Sequence, residues 1–230
     1  GGTAAQYDFQ TLTINKSGGA IVTLATNGLD VDGTLTISAG VLSLASLNVT
    51  TTTSFSNADT LRLQGGETVS WTTNDTDSGT WDYVGDGDSA ADTYTVKAFT
   101  GADYYHLTFN ATDGTTDTFV LGEALAADGT LTVSAGTFDA SASNYGITVG
   151  GGWTDSSTGT FTERSGTVTF DGTGTLNTND NFYNLTVNGS GITVTLGASL
   201  DVDNLLTVTL GALDASASNY GITVGGGWTD

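Results

Sequence analysis

Aspartate is the residue type through which this chain could do chemistry. Asp30 and Asp32 alternate in LDVDG (29–33), and Asp201 and Asp203 alternate in LDVDN (200–204). A third cluster, GDGDSAAD (85–92), carries Asp86 and Asp88, with Asp92 following. Asp at alternate positions in a turn offers hard oxygen ligands, and Ca²⁺ takes about six to eight of them. Asp30, Asp32, Asp86, Asp88, Asp201 and Asp203 are therefore the candidate calcium ligands. Neither the twelve-residue loop closed by Glu nor the nonapeptide calcium repeat is present, so a second reading stays open, in which the same residues cap turns. The balance of 25 Asp+Glu against 4 Lys+Arg, a formal net charge of −21, adds self-repulsion that a divalent ion would relieve. No other cofactor is required.

Paired carboxylates also serve glycoside hydrolysis. Cleavage of an acidic polysaccharide would need basic residues in the groove, and Lys16, Arg62, Lys97 and Arg164 are scattered without recurring between repeats. No enzyme is expected. His106 stands where the related words have Thr11 and Asn184, which makes it an outward strand residue. Four basic residues cannot neutralise a phosphate backbone, so nucleic acid is excluded as a partner. The chain has no Cys, hence no disulfide framework or thiolate site, and no apolar run approaches about 18 residues, so none is expected to enter a membrane. Trp153 and Trp228 follow three glycines, with Tyr145 and Tyr220 upstream in the same words. These aromatics would either stack on sugars or fill a corner of the fold. Paired threonines in Thr-x-Thr words, as at Thr167-Val168-Thr169, would give an ordered hydroxyl face of the kind that binds ice, but the pattern breaks at His106, Gly146, Asn184 and Gly221.

The elements that must position these residues are repeats. DASASNYGITVGGGWTD occurs unchanged at 139–155 and 214–230. Three longer segments align around Leu35, Leu131 and Leu206, each preceded by an entry word: FQTLTIN (9–15), YYHLTFN (104–110) and FYNLTVN (182–188). The chain thus divides into a longer first module, 1–98, with an expanded part at 64–98, a second at 99–173, and an incomplete third at 174–230, all in one continuous body. Gly1 stands at the station of Gly174 and Asp230 at that of Asp155, so both ends are expected to lie inside a module. Within the modules, apolar–Thr–apolar words begin at Leu107, Leu131, Ile147, Val168, Leu185, Leu206 and Ile222, a mean spacing of about 19. Alternation at period two makes these words strands, and Gly, Asn and Asp between them make turns. With 37% hydrophobic and 9% aromatic residues the chain has enough apolar material to fold. Stacked coils with like residues at like stations fit better than antiparallel hairpins. The expectation is an all-β, elongated β-solenoid of about twelve rungs, some 55–60 Å long at ~4.8 Å per rung.

The run GGGWTDSSTGTFTERSGTVTFDGTGTL (150–176), followed by NFYNLTVNGSGITVTLGASLDV (181–202), resembles tandem repeats of very large surface proteins of environmental bacteria. These in turn look like adhesin and autotransporter passengers. The resemblance implies a right-handed parallel β-helix and a structural or adhesive role at the cell surface, outside the cell. It carries over no catalytic residue. A fibre or filament that joins copies of itself head-to-tail is the first expectation. The alternative is an adhesin stalk, or a module that contacts a glycan or ice through Trp, Tyr or Thr faces.

Overall fold

The computed structural model of the protein describes residues 6–51, 53–99, 103–113, 117–216 and 218–230. Gly1, read above as the counterpart of Gly174, lies outside them. Regular structure among the described residues is β, apart from one 3-10 turn at Ser17–Gly19. The apolar–Thr–apolar words are indeed strands. In Leu131–Asp139 the side chains of Leu131 and Val133 are buried, and those of Thr132 and Ser134 are half-buried on the other side. β-branched residues suit this pleated, one-sided surface.

The strands pair in parallel, each with its counterpart one coil later. The step varies along the rod, short from Val168 to Leu185 and long from Thr80 to His106. Three faces result. On the first, Tyr7, Leu29, Val49 and Val69 stack in order, and further along the rod so do Tyr94, Phe119, Phe138 and Phe161. On the second, Leu125, Ile147, Val168, Leu185, Leu206 and Trp228 form one inward column. The third is the longest, running without a break through Val22, Leu42, Leu61, Trp81, Leu107, Leu131, Trp153, Leu176 and Leu196. Backbone groups are thereby satisfied between coils, and the three inward columns fuse into one core. Aromatic rings fill its width, as where Phe138 stacks on Phe109 at 4.5 Å between ring centroids and meets Phe161 at 5.5 Å. The third column continues without a break past residues 98 and 173.

The coil count differs from the sequence expectation. There are about ten turns instead of twelve, which makes a rod about 48 Å long. The mean spacing between words mixed two kinds of step. Leu131 and Ile147 begin successive words yet belong to a single coil, one on the third face and one on the second. The coil that leaves the third face at Leu131 returns to it only at Trp153.

The duplicated word does not return to the same face. Trp153 sits on the third face and Trp228 on the second; Ile147 sits on the second and Ile222 on the first, beside Leu200. One full repeat, from Leu131 to Leu206, passes eleven faces, three and two-thirds turns.

Candidate functional site

Each coil must turn a corner between the third face and the first. In most coils the turn is short, five residues at most, and takes three, 156–158, between Trp153–Asp155 and Gly159–Thr162. In two successive earlier coils it is enlarged: nine residues, 84–92, separate Thr80–Tyr83 from Thr93–Val96, and seven, 111–117, separate His106–Asn110 from Thr118–Leu121. These loops carry Asp86, Asp88 and Asp92 in the first and Asp113 and Asp117 in the second, with no Lys or Arg in either.

Stacking brings the two loops together. Ser89 N donates to Asp113 Oδ2 at 3.2 Å, and Asp92 N donates to Asp117 Oδ1 at 3.2 Å. Within the first loop, Asp88 N donates to Asp86 Oδ1 and Ala90 N to Asp88 Oδ1. Two carboxylate trios follow, Asp86–Asp88–Asp113 and Asp86–Asp92–Asp117, each with ligand oxygens within 4.8 Å of one another. Asp86 belongs to both. Asp117 is 0% exposed, and its Oδ2 is buried with no hydrogen-bond partner, as is Oδ1 of Asp113. Gly85, at φ +66°, makes room for the Asp117 carboxylate, since a Cβ there would lie 1.8 Å from Oδ2. Burial, followed by the surrounding carboxylates, pushes the pKa of both Asp92 and Asp117 above the ordinary range.

Of the six candidate ligands, the structure brings Asp86 and Asp88 into such a group. Asp30 lies on the strand Gly28–Val31, in register with Asp8 and Thr50, and Asp32 is exposed at its end. Asp201 and Asp203 are exposed on Leu200–Asp214, with Asp203 Oδ1 accepting from Asn181 Nδ2 at 3.1 Å. None of these four joins an acidic trio among the described residues. Asp92, Asp113 and Asp117 complete the cluster, and the sequence held a usable signal for it. The separation of Asp88 from Asp113 equals that of Asp92 from Asp117, and both equal the coil length measured nearby from Thr93 to Thr118.

The aromatic candidates divide. Trp153 is wholly buried against Phe161 and Phe182, whereas Trp228 is 54% exposed; Tyr145 and Tyr220 are half-buried against the core. His106 points outward beside Leu107, and its Nδ1 accepts from Thr130 N at 2.9 Å. The threonines are more regular than the sequence suggested. Thr148, Thr169, Thr186, Thr207 and Thr229 form an unbroken outward column on the second face. The neighbouring column is interrupted, passing from Thr167 to Asn184 to Leu205 to Gly227.

A second carboxylate pair lies farther along the same edge of the rod. Thr178 Oγ1 donates to Asp155 Oδ2 at 2.6 Å, and Phe161 N donates to Asp180 Oδ2 at 2.5 Å. Burial, with the Asp155 carboxylate hydrogen-bonded alongside, pushes Asp180 up to about 6. Three of the four basic side chains are engaged elsewhere: Arg62 with Asp82, Arg164 with Asp139, and Lys97 Nζ with the Gly65 carbonyl.

Compared with known proteins, the chain matches no family model, no curated protein and no solved structure. The likeness to bacterial surface repeats therefore rests on the repeat words themselves.

Proposed function

We propose that this is a non-enzymatic structural repeat protein of the bacterial cell surface, whose coils stack end to end into an extracellular fibre or filament. The observation that carries the reading is where apolar surface is left uncovered. The large apolar side chains most exposed among the described residues are Tyr7, Phe9 and Ile21 in the first coil and Leu205, Leu210 and Trp228 in the last two. Among the described residues, the flanks of the rod between them carry none. Edge strands with apolar side chains favour pairing with another strand. The duplicated word supplies an internal comparison: Trp153 is covered by the coil bearing Leu176, while Trp228, in the same word, has no such cover. A further coil of the same polypeptide, or the first coil of another copy, would cover it equally well, and either extends the rod. The high negative charge keeps rods apart sideways. The surface location is taken from the resemblance of the repeat words.

Electron microscopy of negatively stained protein tests the reading. Filaments with an axial repeat of about 50 Å per copy, shortened by Trp228→Asp, are the expected result. Discrete rods about 50 Å long at every concentration would overturn self-stacking. The alternative, an adhesin stalk or a module that contacts a glycan or ice, draws its one specific support from the five-threonine column. Ligand-dependent thermal shifts with glycans, together with ice-recrystallisation assays, would detect it.

A further inference from the structure

We propose that the carboxylates gathered at this corner form a calcium site, with Asp86, Asp92 and Asp117 as its inner ligands and Asp88 and Asp113 at its mouth. The inference is independent of whether rods join end to end.

Three observations converge. The corner that takes at most five residues in the other coils takes nine and seven in two adjacent coils, and every charged residue in both insertions is an aspartate. A turn that served only to reverse the chain would need neither the length nor the charge. Next, stacking places Asp117 in a wholly buried position with one carboxylate oxygen lacking any hydrogen-bond partner, and Asp113, a member of the same cluster, also carries a buried unpartnered oxygen. Burying a carboxylate oxygen without a partner is costly, and a bound cation removes that cost. Finally, five carboxylates gather where neither loop has a basic side chain, and three of the four Lys and Arg residues are engaged at other places.

The donor set selects the ion. All five ligands are hard carboxylate oxygens, which excludes a soft-metal preference. They sit on two irregular loops from different coils, and such a site suits the flexible, high-coordination shell of Ca²⁺ better than the rigid octahedron of Mg²⁺. The ion would clamp two consecutive coils at this corner.

Terbium is a useful probe, because Tb³⁺ occupies Ca²⁺ sites and is sensitised by nearby tyrosine. Tyr94 interacts with Asp86 and stacks on Phe119, so it lies beside the cluster. Excitation of the aromatic residues should give a saturable Tb³⁺ signal of one ion per chain, displaced by Ca²⁺ and far less readily by Mg²⁺. Asp86→Asn and Asp117→Asn should each abolish that saturable signal, and Asp201→Asn should leave it unchanged. Asp86 is exposed, so its variant separates ligand loss from misfolding. Calcium should also raise the Tm of the native chain and of Asp201→Asn, but not of Asp86→Asn. A signal equal in native protein and Asp86→Asn, or no Ca²⁺-displaceable signal at all, would overturn the proposal. Both results are read on dispersed protein, so they stand apart from any failure of filaments to form.

Discussion

Trp153 and Trp228 occupy the same place in two identical words, yet one is wholly buried and the other about half exposed. The value of a core side chain in a solenoid is set by the coil stacked on it, not by its own word. Trp153→Ala should cost about 3–5 kcal/mol in chemical denaturation. Trp228→Ala in dispersed protein should cost less than about 1 kcal/mol. Equal losses would mean that the two words are equivalently covered. Asp180 is likewise set by its surroundings, by burial first and then by the Asp155 carboxylate. Its folded pKa of about 6 lies above the ordinary 3.8, so between pH 4 and 6 the unfolded chain releases a proton that the folded chain retains. The contribution of Asp180 to stability is therefore fully present below that window, falls as pH rises through it, and is gone above. A Tm profile should show the fall in native protein and a smaller one in Asp180→Asn. A profile unchanged by the substitution would remove Asp180 from the account.

At the scale of the strand and corner, close backbone approach decides which substitutions are tolerated. A Cβ on Gly172 would lie 1.7 Å from the Gly150 carbonyl oxygen of the preceding coil, while one on Gly66 would meet nothing within 4 Å. Gly172→Ala should destabilise by more than about 1 kcal/mol, and Gly66→Ala should be neutral or slightly stabilising. Comparable urea midpoints for both variants would contradict the coil-to-coil contact. Strands were the part most legible in the sequence, because alternation at period two is local: the apolar–Thr–apolar words at Leu131, Val168 and Leu185 are strands with the expected residues inward. Coil length was not local. A word does not reveal which face it occupies, so Leu131 and Ile147 looked like successive rungs although they share one. The candidate site was half legible for the same reason. Asp86 and Asp88 stand out within one loop, whereas Asp113 and Asp117 join them only through stacking one coil later.

On the scale of the whole rod, sequence repeat and coil are out of step. The repeat from Leu131 to Leu206 passes three and two-thirds turns, so a surface carried by one module reappears rotated by one face in the next. The second and third modules therefore do not line up a single binding stripe. The chain has no cysteine, which makes the rotation measurable with two introduced labels. Ser143→Cys and Ser218→Cys mark the same station of the duplicated word, and Thr148→Cys and Thr229→Cys mark two points on one threonine column, four coils apart. Along the axis the first pair is slightly closer than the second, by about a third of a rung of ~4.8 Å. Because the first pair sits at different corners of the prism, its spin–spin distance should nevertheless be the longer. Were a module a whole number of turns, three or four, the first pair would be no farther apart than the second.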